Sequence, residues 1–210
     1  MIALALPPLM ASSAPSPDKA TLRRDARARR DAIADDVREA AALAAAQVAD
    51  RSVLATFAPG AVIGLYASMR SELSTAPLAA VAAARGLTLA YPRTAADHTL
   101  VFHRVSVEDA PALAAGRFGI PEPSPDAEIV PLDQLAAIVV PALLFDRGGY
   151  RLGWGGGWYD TTLPLTRAFR IGYALEAQLV DELPRAPHDE PVDLVVTEAA
   201  VHAGAQRWTR

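Results

Sequence analysis

The sequence predicts a single α/β domain, with a mostly parallel sheet, helices on both faces and a basic helix pair at the N-terminus. Three observations predict it. Short apolar runs of strand type alternate with helical stretches from residue 61 onward, the pattern of strands joined by helical crossovers. A length of 210 residues suffices for one sizeable core. A glycine-rich loop follows the most apolar run, and open α/β sheets carry ligands at such carboxyl ends of strands.

Residues 1–17 hold Pro7, Pro8, Pro15 and Pro17 among small side chains. They are expected to form a flexible leader, with the domain spanning 18–210. Met1 to Leu9 is apolar, but no basic residue precedes it and Pro7-Pro8 interrupt it, so a secretory signal is not expected. Ser16-Pro17-Asp18 reads as a helix start, with Ser16 as cap. Lys19 to Ile33 is then a basic helix with Leu22, Ala26 and Ile33 as its thin apolar side. Asp35-Asp36 open a second helix reaching about Phe57, with Val37, Leu43, Val48 and Leu54 inward and Pro59-Gly60 as its stop. Ala61 to Tyr66 is the first strand. Thr75 to Arg85 is a helix closed by Gly86. Leu87 to Tyr91 and Thr99 to Val105 are strands, and Pro111 to Pro131 is turn-rich. Ala137 to Phe145 is the most apolar strand. A helix begins near Trp158, and Phe169 to Ala174 and Asp193 to Thr197 are the last strands.

The net charge is −4, and nineteen of the twenty basic residues are Arg; the only Lys is Lys19. No Gly-Lys-Ser/Thr occurs, which excludes a Walker A loop. The absence of Cys excludes disulfides, thiolate metal sites and a Cys nucleophile. The mild acidic balance argues against nucleic-acid binding. No apolar run approaches the roughly 20 residues that span a bilayer, so no membrane role is expected. His98, His103, His188 and His202 lack zinc spacing, and no G-x-S-x-G elbow is present.

Six of the thirteen glycines lie between Gly148 and Gly157. Glycines let backbone N–H groups surround phosphate oxygens, and a following helix adds its dipole. Arg151 can add a charged fork. Trp154, Trp158 and Tyr159 are more than a solvated linker needs and could stack on a flat heterocycle or anchor the core. Trp158 stands where a dinucleotide fingerprint would have its third Gly, so the loop is not one.

Arg151-Leu152-Gly153-Trp154-Gly155-Gly156-Gly157-Trp158-Tyr159-Asp160 resembles the signature of the 5-formyltetrahydrofolate cyclo-ligase family. Lys19-Ala20-Thr21-Leu22-Arg23 is similar to that family's Lys-x-x-Leu-Arg, and Glu72-Leu73-Ser74-Thr75 to its Glu-x-x-Thr. Tyr91-Pro92-Arg93, Gly119-Ile120-Pro121-Glu122-Pro123 and Pro191-Val192-Asp193 follow in the expected order, so the resemblance covers about residues 19–198. It implies a Rossmann-like three-layer sandwich. It also implies ATP- and Mg²⁺-dependent cyclisation of 5-formyltetrahydrofolate to 5,10-methenyltetrahydrofolate, through a phosphorylated formyl group.

On the resemblance, Lys19 and Arg151 act in catalysis. ATP meets Lys19, Arg23, Arg151, Gly153, Gly155, Gly156, Gly157, Trp158 and Tyr159. The folate meets Ala67, Glu72, Trp154 and Trp158, and Asp160 and Asp193 hold Mg²⁺. Asp146, at a strand end, is a competing metal candidate. Arg24, Arg27, Arg29 and Arg30 would by themselves make the first helix an ordinary solvated basic face. Trp154 and Trp158 replace residues more usual in the family, and a role needing a phenolic hydroxyl is lost there. The alternative is a non-catalytic folate- or nucleotide-binding relative that serves as a regulator. A sugar-phosphate isomerase or acyl-CoA transferase on a related fold would need no ATP. A cytoplasmic monomer is expected.

Overall fold

The computed structural model describes residues 18–205. The expected leader, and Ser16 as a helix cap, lie outside them. Asp18 caps the first helix instead, its carboxylate accepting the Thr21 N–H at 2.8 Å. In chain order the main elements are α1 (Lys19–Asp31), α2 (Asp35–Ser52), β1 (Val62–Gly64), α3 (Ala76–Ala84), β2 (Thr88–Thr94) and β3 (Leu100–Arg104). A turn-rich stretch follows with the two-residue strands β4 (Ala114–Ala115), β5 (Pro121–Glu122) and β6 (Ile129–Val130). Then come β7 (Leu135–Val140), β8 (Leu144–Asp146), β9 (Arg151–Leu152), α4 (Trp158–Thr162), β10 (Phe169–Tyr173), β11 (Leu179–Val180), β12 (Leu194–Val196) and β13 (Val201–Ala203).

The main sheet runs β13-β12-β10-β7-β1-β2-β3-β6. Its inner block, β12-β10-β7-β1-β2, is parallel throughout. The edges β13, β3 and β6 are antiparallel. Strands buried on both faces read as continuous apolar runs, and Ile138, Val139 and Val140 of β7 are fully buried.

One face is covered by α2 and α3. Here the expected inward residues are corrected. Val37 and Leu43 are exposed, and α2 packs through Ala41, Ala42, Ala45, Ala46 and Ala49. Small side chains let α2 lie close to α3 and the sheet, which bulky ones would prevent. The second face is covered by short pieces: α4, the turn Leu163–Leu165 and the β8 segment, with Phe102, Phe145 and Leu163 between. Helix α1 sits apart, on the small sheet β11-β8-β9, over Leu143, Leu144, Leu152 and Leu183.

The expected strand from Ala137 to Phe145 is two strands. Pro141 has no N–H to give a ladder, so β7 stops before it. The chain turns, and β8 pairs with β9 and β11 instead. Asp146 ends β8 fully enclosed. Its Oδ1 accepts the Gly148 and Tyr150 N–H groups at 2.8 and 3.0 Å, and its Oδ2 the Leu183 N–H at 3.2 Å and Arg185 Nη2 at 3.3 Å. Asp146 therefore shapes the turn that launches the glycine loop, and is corrected from metal candidate to structural anchor.

Asp146→Ala leaves three backbone donors without their acceptor. It is expected to cost about 2–4 kcal/mol in denaturant unfolding, with Asp146→Asn in between.

Candidate functional site

Strands β1 and β7 are neighbours whose onward connections run in opposite directions, β1 towards β2 and β7 towards β10. A crevice forms at such a switch point, outside the carboxyl ends of the strands. A cavity of about 680 Å³ opens there. The loop after β1 supplies Tyr66, Ala67, Met69, Arg70 and Glu72, and Pro141 marks the end of β7. The glycine loop from Arg151 to Asp160 forms a second wall, Lys19 and Arg23 of α1 a third, and Ala186, His188 and Asp189 close the rim.

The cavity thus gathers Lys19, Arg23, Ala67, Glu72, Arg151, Gly153, Trp154, Gly155, Gly156, Gly157, Trp158, Tyr159 and Asp160. Of the sequence candidates, Asp193 and the already enclosed Asp146 are not on its wall. Asp193 lies at the start of β12, where its Oδ2 accepts the Arg170 N–H at 2.7 Å from β10. That is the amino end of the parallel block, whereas the cavity lies at the carboxyl end.

Lys19 Nζ donates to Asp189 Oδ2 at 2.5 Å. Arg23 Nε donates to the Gly153 carbonyl at 3.0 Å, pinning the loop to α1. Gly155 and Gly157 have φ of +96° and +72°, where other L-residues are strained. Gly157 is also the cap of α4. Arg151 is nearly enclosed: Nη2 bonds Asp160 Oδ1 at 2.6 Å and Nη1 donates to the Glu190 carbonyl. Burial pulls its pKa down and Asp160 resists that shift. The Glu190 N–H also reaches Asp160 Oδ1, at 3.2 Å, and Arg170 Nη1 holds the Glu190 carboxylate at 2.7 Å.

At the other end, Trp154 Nε1 donates to Glu72 Oε1 at 3.1 Å, and the Met69 N–H to Glu72 Oε2 at 3.1 Å. Burial raises the Glu72 pKa against these bonds and the positive charges of Arg30 and Arg70. The Trp154 ring lies 5.4–5.8 Å from the guanidinium carbons of Arg27, Arg30 and Arg70. Trp158 stacks on His98, with ring centroids 4.6 Å apart. Burial pushes the Tyr159 hydroxyl far above its ordinary pKa, so it stays protonated.

The site also holds residues that sequence reasoning did not single out. Asp189 lies just before Pro191-Val192-Asp193 and His98 outside the quoted motifs, and the fold brings both to the cavity. Arg30 was expected among solvated arginines but is buried.

For a divalent cation, the donor set is thin. Among the described residues no group of three or more His, Asp or Glu gathers. Asp160 is the carboxylate beside the glycine loop, with Oδ1 already bonded to Arg151. A cation held by protein alone does not fit. Mg²⁺ that arrives with phosphate oxygens and waters needs only one or two carboxylates, and the cavity fits that case. No helix among the described residues is long and apolar enough to cross a membrane.

Burial opposes the charge of Asp189, yet hydrogen bonds from Lys19 and the Ala186 N–H outweigh it and lower its pKa. A depressed carboxyl pKa adds stability above the unfolded value and loses it as pH falls through the folded one. A stability gap between wild type and Asp189→Asn is therefore expected at neutral pH, of about 1 kcal/mol or less for this partly exposed pair. Thermal melts should show the gap closing as pH falls below the ordinary carboxyl value of 3.8.

Residues 15–198 match the sequence profile of the 5-formyltetrahydrofolate cyclo-ligase family. The chain is similar to the 5-formyltetrahydrofolate cyclo-ligase of Escherichia coli (strain K12), 33% identical over 147 residues that cover 66% of this chain and 79% of that protein. It is also similar to that of Haemophilus influenzae, 35% identical over 143 residues, covering 64% and 74%. The fold resembles a solved 5,10-methenyltetrahydrofolate synthetase from Aquifex aeolicus, with a TM-score of 0.76 and 29% identity over 91% of this chain and 94% of that one. A Mycoplasma pneumoniae structure of the same name shares the fold, with a TM-score of 0.70 at 20% identity over 86% and 99%.

Proposed function

The chain belongs to the 5-formyltetrahydrofolate cyclo-ligase family, and from that premise we propose that it uses ATP, with Mg²⁺, to close the formyl group of 5-formyltetrahydrofolate onto the neighbouring nitrogen. One observation carries this reading: a glycine loop with cations and a carboxylate–indole pair face one cavity. The first set suits a polyphosphate and the second a flat heterocycle with N–H donors. Two reactants held side by side is what a phosphoryl transfer between them needs.

In this scheme the formyl oxygen attacks the γ-phosphorus and ADP leaves. The neighbouring nitrogen then attacks the activated carbon and gives up its proton, the carbon–oxygen bond breaks and phosphate departs. The formyl oxygen, amide-like on its nitrogen, is a poor leaving group, and phosphorylation makes it a good one. Lys19 and Arg23 meet the phosphates, Lys19 exchanging Asp189 for phosphate oxygen. The N–H groups of residues 153–157 line the polyphosphate. Arg151, pre-oriented by Asp160 and Glu190, holds the transferred charge. Asp160 would hold Mg²⁺ together with phosphate oxygens. The ion would supply charge neutralisation on the transferred phosphoryl group. Glu72 accepts the pterin donors, and Trp154 with Ala67 bounds the ring.

The direct test mixes protein, ATP, Mg²⁺ and 5-formyltetrahydrofolate and follows the methenyl chromophore. Turnover that requires ATP is expected. Binding of both ligands without turnover would favour the regulator, and turnover without ATP would favour an isomerase or transferase. Lys19→Ala is expected to lower kcat/KM for ATP about 100-fold, with the folate KM little changed. Lys19→Arg should recover only part, because a planar fork cannot replace a compact ammonium. Asp160→Asn is expected to raise the Mg²⁺ concentration for half-maximal rate about tenfold in a metal titration.

A further inference from the structure

Arg30 and Ala26 are the buried residues of α1. An enclosed guanidinium is costly unless its donors are engaged. Nε donates to Ser71 Oγ at 3.1 Å, and Ser71 Oγ in turn donates to Asp31 Oδ1. Nη1 reaches only to 3.4 Å from the Ala142 carbonyl, and Nη2 has no hydrogen-bond partner among the described residues. Burial depresses its pKa, with Glu72 the leading charge that resists. Its guanidinium carbon stands 5.4 Å from the Trp154 ring centroid.

These contacts lie on or beside the residues of the folate end. Ser71 adjoins Glu72, Ala142 follows the end of β7, and Trp154 is the indole bonded to Glu72. Arg30 itself does not line the cavity.

We infer that Arg30 is a positioning residue for the pterin subsite. It fixes the Ser71–Glu72 turn to α1 and holds the Trp154 indole by a cation–π contact, so that carboxylate and ring present one preformed surface. Burial works against the Glu72 charge, and the positive charges of Arg30 and Arg70 favour it. The inference rests on the reading of Glu72 and Trp154 as folate contacts.

The experiment is steady-state kinetics on the full chain, with separate KM values for 5-formyltetrahydrofolate and ATP. Arg30→Met is expected to raise the folate KM about tenfold, leaving kcat and the ATP KM within about twofold. Arg30→Lys, which restores charge but not the fork, should recover part of the loss. A folded Arg30→Met with an unchanged folate KM, or one whose loss falls equally on ATP, overturns the inference. So does Arg30→Lys behaving no better than Arg30→Met. If Arg30→Met fails to melt cooperatively, Ser71→Ala decides in its place: a folate KM raised about threefold supports the inference, and an unchanged one overturns it. Glu72→Gln separates the two levels. If it leaves the folate KM unchanged, the subsite itself is misread; if it raises the KM and Arg30→Met does not, only the role of Arg30 fails.

Discussion

The cations of helix α1 tie it to three separate segments, and the site depends on that. Its apolar contact is small: Ala26 and Leu22 on the cluster of Leu143, Leu144, Leu152 and Leu183. Three cationic side chains complete the attachment, and each lands on a different segment. Lys19 meets Asp189, Arg23 meets the Gly153 carbonyl, and Arg30 meets Ser71 and Ala142. The helix is thus a strut that sets the spacing between the rim, the glycine loop and the turn after β1. A flexible glycine loop becomes a defined surface because one of its carbonyls is tied to that strut.

The sheet supplies the other half of the geometry. At the β1–β7 switch point two loops leave in opposite directions and open a crevice. Pro141 ends β7 there and diverts the chain into β8. The Asp146 carboxylate then folds the following turn by accepting the Gly148 and Tyr150 N–H groups. Break, turn and glycine loop are consecutive in sequence, so one short stretch both finishes the sheet and builds the cavity wall.

Much of this was legible in the sequence. The strands near 61–66 and 169–174, helix α3 and the loop were read from period, caps and glycine spacing. The α2 interior was not, because its buried stripe is alanine, and bulk-seeking periodicity points to Val37 and Leu43 instead. The run from Ala137 to Phe145 is apolar on both sides of Pro141 because each half is buried in a different sheet, so hydropathy carries no mark of the break. Arg30 looks like its neighbours on α1, and only the docking of the helix separates it from them. Asp193 follows the family pattern in sequence, yet its backbone partner places it at the amino end of the parallel strands. Local pattern names residue types. Which of them face the cavity is decided by contacts across more than a hundred residues, such as Lys19 to Asp189 and Arg23 to Gly153.

We read α1 and the glycine loop as one phosphate site facing the Glu72–Trp154 end of a shared cavity. A crystal structure with a non-hydrolysable ATP analogue, Mg²⁺ and 5-formyltetrahydrofolate tests it most directly. The triphosphate is expected between Lys19, Arg23 and residues 153–157, with the γ-phosphate directed at a formyl group held near Glu72 and Trp154. A nucleotide bound away from Lys19 and the loop, or a folate with its formyl group turned from the γ-phosphate, would contradict it.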